Sequence, residues 1–119
     1  MGVYWNEDVV VWRRGGEECR MKFDVVVGSR QQGELVPSLI VEAKVDLDAP
    51  RLKTLMLNSL LVKRVYETKV LLVYVWWNAS WIWRKIALEV LDGVYGFNLE
   101  ESQVDAFIRD VIEALRASR

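Results

Sequence analysis

The side chains best suited to chemistry are those of Asp24 and of the run Glu42-Ala43-Lys44. The sequence contains no histidine, and its one cysteine is Cys19. These counts exclude zinc sites built from cysteine and histidine, disulfides within the chain, and nucleophiles activated by histidine. Any catalysis must therefore use carboxylates, lysines or hydroxyl groups.

Three predicted strands position these residues. The β-branched segments 9–14 and 21–27 flank Gly15-Gly16-Glu17-Glu18, a pattern that predicts a hairpin. The polar segment 28–34 then leads to a third strand over 39–45. The first part of the chain is therefore predicted to be an antiparallel meander of three strands.

The length of the second connection sets the cross-strand partners. A turn centred near Gly33 places residues whose numbers sum to 66 opposite each other, so Asp24 lies beside Glu42 and Val26 beside Ile40. Side chains alternate between the two faces of a strand, and the reverse faces are apolar. We expect these reverse faces to be core: Phe23, Val25 and Val27 on the second strand, and Leu39, Val41, Ala43 and Val45 on the third.

This juxtaposition indicates a particular chemistry. Two facing carboxylates repel each other unless a positive charge lies between them, and a divalent cation would supply it. Magnesium takes carboxylate and carbonyl oxygens, keeps several waters and binds phosphate. A lysine nearby can orient or deprotonate a water, or stabilise charge on phosphorus. The set predicts metal-assisted hydrolysis of a phosphodiester.

The rest of the chain predicts a crossover helix, a parallel strand and C-terminal helices. Asp48 is a good N-cap for a helix that runs to Tyr66, and its apolar residues nearly encircle it, which favours burial. The apolar run 69–77 is typical of a central strand, parallel to the third. Ser80 caps a helix through Leu91, or else the segment forms a second hairpin.

The last helix has a capping box and a clear apolar stripe. Asn98 and Glu101 have the spacing of such a box. The stripe predicts an amphipathic helix packed on the core, and it consists of Val104, Phe107, Ile108, Val111, Ile112 and Leu115.

An aspartate followed by Glu-x-Lys on the next strand is the signature of the PD-(D/E)xK nuclease superfamily. This chain resembles that family in Phe23-Asp24 and in Ile40-Val41-Glu42-Ala43-Lys44, and in its order of elements over roughly residues 9–77. The resemblance implies an α/β, restriction-endonuclease-like fold, and the 119 residues suit one domain over 1–119.

The resemblance also implies roles for the site residues. Asp24 and Glu42 would hold Mg²⁺ or Mn²⁺ with help from the Ala43 carbonyl, and Lys44 would serve the nucleophilic water. The chain departs from the family in two respects. Segment 1–8 is too short for the N-terminal helix that carries a further acidic residue in many members, although Glu7 could replace that residue. The helix after the triplet lacks the Gln or Tyr of some branches, and Lys53 is its nearest basic candidate.

The charges of the chain are unevenly distributed although the net charge is only −1. Segment 51–85 has seven basic residues against one acid, Glu67, and the balance reverses over 86–113. One interpretation is a set of solvated helix faces. The other is a side that faces a polyanion, which suggests DNA bound through Lys53, Lys63 and Arg64.

Four of the six tryptophans lie within eight residues, at Trp76, Trp77, Trp81 and Trp83. Since neighbouring residues on a strand face opposite ways, Trp76 and Trp77 cannot both enter one core. Exposed tryptophans either stack on unpaired bases or form a subunit interface, and we favour a homodimer through this Trp-rich region.

The chain has no apolar run close to the roughly 20 residues needed to cross a bilayer, and no secretory signal pattern. We therefore expect a soluble, cytoplasmic protein. The leading hypothesis is a metal-dependent deoxyribonuclease. The alternatives are a catalytically inactive nuclease-fold module for nucleic-acid binding or assembly, and an interaction protein that acts through its tryptophans.

Overall fold

Five strands form one mixed sheet, with helices on both of its faces. The fold is given by a computed structural model, which describes residues 1–98 and 102–117. The elements are β1 (Gly2–Arg14), β2 (Glu17–Gln31), β3 (Glu34–Asp48), α1 (Ala49–Val65), β4 (Lys69–Asn78), α2 (Trp81–Val90), β5 (Gly93–Gly96) and α3 (Val104–Ala117).

The strands lie in the sheet in the order in which they occur in the chain. β1, β2 and β3 are antiparallel neighbours, whereas β3, β4 and β5 are parallel. The predicted meander, the crossover helix α1 and the parallel strand β4 are confirmed. The short strand β5 was not predicted, because four residues with two glycines carry little strand pattern.

Two tight turns fix the meander. The central residues of both turns have positive φ, at Gly15-Gly16 and at Gln32-Gly33, as a two-residue type I′ hairpin requires. β1 begins at Gly2, so the start of the chain extends the hairpin by seven residues beyond the prediction. Segment 2–8 is therefore strand, and its Glu7 pairs with Arg30 at 3.3 Å.

Helix α1 packs on the sheet along one side only. Its N-cap is Asp48, whose carboxylate accepts a hydrogen bond from the Arg51 N–H at 3.0 Å, as predicted. The expected burial of this nearly encircling apolar surface is only partly confirmed, because the sheet and α2 pack on one side of α1 and another face of the helix is exposed. That exposed face carries Leu57, Leu60 and Val65.

Helix α2 and the end of β4 resolve the alternative at Ser80. The Ser80 side chain accepts a hydrogen bond from the Ile82 N–H, and a helix follows, so the hairpin does not form.

β4 is covered on both faces. Val70, Leu72 and Tyr74 contribute to the core beneath α1 and α2, and Leu71 contributes to the smaller core beneath α3.

Helix α3 covers the other face of the sheet near Leu39 and Val41. The Tyr95 hydroxyl of β5 donates a hydrogen bond of 2.6 Å to the carboxylate of Asp110 on α3. The cover ends beyond Val41, so the prediction that Val45 is core is wrong: Val45 is 69% exposed. Ala43 is exposed as well.

The apolar stripe of α3 is only partly buried. Phe107, Val111 and Leu115 pack on the sheet, whereas the remaining members are exposed, namely Val104, Ile108 and Ile112. Of the predicted capping box, Glu101 lies outside the described residues. No described helix is long and apolar enough to span a membrane.

Candidate active site

The sheet forks at Asp24. β2 pairs with β3 only as far as Val25 opposite Val41. The pairing of β2 with β1 is interrupted at Asp24 as well, where Asn6 has a φ of 50°. Beyond this point β2 continues beside β1 alone, and β3 continues beside β4 alone. The two halves of the sheet therefore separate at the predicted site.

The predicted register holds at the fork. Val26 lies opposite Ile40, as predicted. The turn itself is centred between Gln32 and Gly33, so the numbers of paired residues near the turn sum to 65. A bulge between Val27 and Gly28 raises this sum to 66 for the pairs closer to Asp24. The bulge therefore compensates for the small error in the predicted centre.

Alternation along β2 fails at the same place. Phe23 and Val26 both belong to the core beneath α1 and α2, whereas Val25 and Val27 pack against the core beneath α3. The prediction that Phe23 shares a face with Val25 and Val27 is therefore wrong. The physical reason is the local break in pairing at Asp24, which lets the strand twist.

Reciprocal contacts between backbone and side chain replace the missing ladder at the fork. The carboxylate of Asp24 accepts a hydrogen bond of 2.9 Å from the Ala43 N–H. In the other direction, the Asp24 N–H donates to Glu42 Oε1 at 3.4 Å. The two carboxylates are held beside each other by the backbone of the opposite strand.

Lys44 completes the cluster. Its Nζ lies 3.6 Å from Asp24 Oδ2 and 3.8 Å from Glu42 Oε2. Asp24 and Lys44 are each about one-third exposed at the side chain, whereas Glu42 is buried. The three residues selected from the sequence therefore converge in the structure.

Glu42 is electrostatically unusual. Burial and, to a smaller extent, the negative charge of Asp24 raise its pKa to about 7 against the opposing effect of Lys44. A cation that approaches Glu42 would therefore stabilise the ionised form of its carboxylate. Perturbed carboxylates in a cleft are typical of functional sites.

A pocket of about 570 Å³ opens above the cluster, inside the fork and against α1. Besides the three clustered residues, its polar lining comes from β2, β3 and α1. These residues are Lys22, Asp46, Arg51, Thr54 and Asn58. In the part of the chain that the structure describes, the side chains of Lys22 and Asn58 have no hydrogen-bonding partner.

Comparisons of this chain with family models, curated proteins and solved structures found no match.

The residues present fit a hard divalent cation. Residues 1–98 and 102–117 contain no group of three aspartate, glutamate, cysteine or histidine side chains that could hold a metal. Magnesium, however, is commonly held by one or two carboxylates, with waters and a substrate phosphate completing its shell. Asp24 and the buried Glu42, facing an open pocket, supply that number of carboxylates.

The polar residues of α1 that line the pocket were missed in the sequence. Arg51, Thr54 and Asn58 follow the three- and four-residue spacing of one helix face. They form one polar stripe on a helix that is apolar over much of its surface. The sequence signal that could have identified these residues is the polar stripe itself, on the helix that follows Glu42 in the chain.

The three predicted DNA-binding residues lie in different places. Lys53 does not line the pocket, and its Nζ stands 4.9 Å from the centre of the Trp83 ring. Lys63 forms an ion pair of 2.6 Å with Asp92. Both Lys63 and the exposed Arg64 belong to the last turn of α1, about 18 Å along the axis from Arg51.

Proposed function

We propose that this protein is a metal-dependent nuclease of the PD-(D/E)xK type that hydrolyses DNA phosphodiester bonds. The observation that carries the proposal is the convergence of Asp24, Glu42 and Lys44 at the fork of the sheet, beneath an open pocket. The antiparallel meander, the crossover helix and the parallel strand support a restriction-endonuclease-like fold.

Each residue has a role that follows from its position. Asp24 and Glu42 would hold Mg²⁺ or Mn²⁺, with the Ala43 carbonyl as a further oxygen. When bound, the ion supplies a Lewis acid and positive charge at the scissile phosphate. Lys44 lies within ion-pair distance of both carboxylates, so its ammonium can orient a water and stabilise charge that develops on the phosphate.

The rim of the pocket suits a polyanionic substrate. Lys22 and Arg51 both line the pocket, one from β2 and one from α1. Both can contact phosphates that flank the scissile bond. Arg64, exposed in the last turn of α1, is a candidate for a more distant phosphate contact.

The experiment is cleavage of supercoiled, linear, single-stranded and branched DNA with Mg²⁺ or Mn²⁺. Native protein is compared with Asp24→Asn and Lys44→Met. The matched controls are Glu89→Gln and Lys85→Met, which change a carboxylate to an amide and a lysine to methionine at exposed positions of α2. We expect metal-dependent cleavage that both site variants lose and both controls keep.

Loss of cleavage in the controls as well would point to a contaminating nuclease or to general damage, and would remove the support for this site. Cleavage that survives in Asp24→Asn and Lys44→Met would refute the assignment. The competing function is a catalytically inactive nuclease-fold module for nucleic-acid binding or assembly. That function predicts DNA binding that is equal in all five proteins, without cleavage.

A further inference from the structure

The start of α2 presents an aromatic surface to solvent. Trp81 is 57% exposed, and its ring is stacked on that of Trp77, with centroids 5.8 Å apart and planes 5° from parallel. Trp77 in turn meets the buried Tyr74 edge-on at 5.1 Å. The inner rings therefore hold Trp81 in place while much of its surface stays accessible.

Cations lie against these rings. The Arg84 guanidinium is 5.5 Å from the centre of the Trp81 ring, and the Lys53 ammonium is 4.9 Å from that of Trp83. Such pairs are attractive in themselves, and they place positive charge at the edge of an aromatic surface. We call Trp77, Trp81, Trp83, Lys53 and Arg84 the aromatic patch.

The aromatic patch and the candidate active site lie at the same end of the sheet. Lys44 of the site is the register partner of Tyr74, and Leu47 that of Trp77, at the carboxyl ends of β3 and β4. The first turn of α1 lies between them, since Arg51 lines the pocket and Lys53 covers Trp83. Lys53 of the aromatic patch therefore lies within one helical turn of the pocket residue Arg51.

We propose that the aromatic patch binds an unpaired nucleic-acid strand that continues from the scissile phosphate, so that the substrate carries a single-stranded tail or branch. This inference rests on the proposed nuclease function for its link to the pocket. Base stacking on exposed tryptophan combined with cations along the backbone is the usual way proteins hold single strands.

Charge decides between this occupant and a second copy of the chain. The charged residues of the aromatic patch are Lys53 and Arg84, and both are positive. A symmetric dimer through this surface would bring two such patches together, and like charges across an interface are unfavourable. A polyanion is complementary to the same surface.

The test is the binding of a fluorescent single-stranded oligothymidine and of a blunt hairpin duplex, measured by anisotropy in EDTA. The variants are Trp81→Leu and Lys53→Gln. The matched control is Trp5→Leu, since Trp5 is 70% exposed on β1, the opposite edge strand of the sheet. Circular dichroism and thermal unfolding establish that each variant is folded.

We expect Trp81→Leu to weaken single-strand binding about tenfold, as for the loss of one stacked base, and to change duplex binding less than twofold. Lys53→Gln should weaken the binding of both oligonucleotides and reduce the salt dependence of that binding. Trp5→Leu should bind both with the affinity of the native protein. Equal single-strand affinities for Trp81→Leu and Trp5→Leu would overturn the proposal. So would a dimer in sedimentation velocity that Trp81→Leu converts to monomer while DNA binding stays unchanged.

The two proposals fail separately. The same binding series in an Asp24→Asn background requires no cleavage, so an inactive site leaves the result for the aromatic patch intact. Conversely, native protein and Trp81→Leu could cleave blunt duplex at equal rates and show no preference for substrates with tails. That result would support the nuclease function and refute the proposal that the aromatic patch binds a single-stranded tail.

Discussion

Replacement of Glu42 by glutamine should stabilise the protein at alkaline pH and leave its stability nearly unchanged in acid. The folded chain raises the pKa of Glu42 from 4.5 to about 7, chiefly by burial. The difference of about 2.5 pH units, at about 1.4 kcal/mol per unit, corresponds to about 3 kcal/mol. Between pH 4.5 and 7 the folded state therefore binds more protons than the unfolded state, and stability falls as the pH rises through this window.

Glutamine keeps an oxygen that can accept from the Asp24 N–H, but it never ionises. Below pH 4.5 the native and Glu42→Gln proteins should therefore unfold at similar urea concentrations. At pH 8 the variant should be more stable by up to about 3 kcal/mol, which is a large part of a typical stability of about 5–15 kcal/mol.

The assay is urea unfolding of both proteins at pH 4, 6 and 8 in EDTA. The contributions of carboxylates that do not contact Glu42 cancel when the two proteins are compared at one pH, so the difference reports on Glu42 and its immediate neighbours. Glu89→Gln, at an exposed position of α2, is the control and should show no pH-dependent difference. A difference between native and Glu42→Gln that is the same at pH 4 and pH 8 would show that Glu42 is not desolvated as the structure has it.

Three further predictions test the site and its supports. Mg²⁺ at a hundred times its Kd should add about 3 kcal/mol to the unfolding free energy of native protein and nothing to that of Asp24→Asn; equal gains in differential scanning calorimetry would contradict the metal site. Tyr95→Phe should lose about 1–2 kcal/mol, because it removes the hydrogen bond to the carboxylate of α3. Tyr4→Phe, whose ring stays available to the Arg30 guanidinium, is its control, and urea midpoints distinguish them. Arg64→Gln should lower the salt slope of duplex binding by about one, whereas Lys63→Gln should change it less because its ammonium is committed to an ion pair; equal slopes in a salt titration would count against this surface.

The sequence was most informative where local patterns agree with the global fold. Glycine turns, β-branched runs and the Asp48 cap predict the meander, α1 and β4, and the placement of Asp24, Glu42 and Lys44 follows from strand register alone. These features depend on residues close together in the chain, so a pattern suffices to locate them.

Packing between distant segments was not predictable in the same way. The exposure of Val45 and the half-exposed stripe of α3 depend on how far α3 extends over the sheet, which no local pattern encodes. The fork at Asp24 depends on an interruption opposite Asn6 on another strand. The polar face of α1 at Arg51 and Asn58 was hidden by the assumption that this helix is buried all round.

The fork has a consequence for cooperativity. Asp24 belongs to the β1–β2 arm of the sheet and Glu42 to the β3–β4 arm, so the two carboxylates approach each other only when both arms are folded and seated together. The Ala43 N–H bonded to Asp24 crosses the seam between the arms. Its rate of exchange with deuterium therefore reports on the closing of that seam, and a ligand held by both carboxylates would join two cooperative folding units into one.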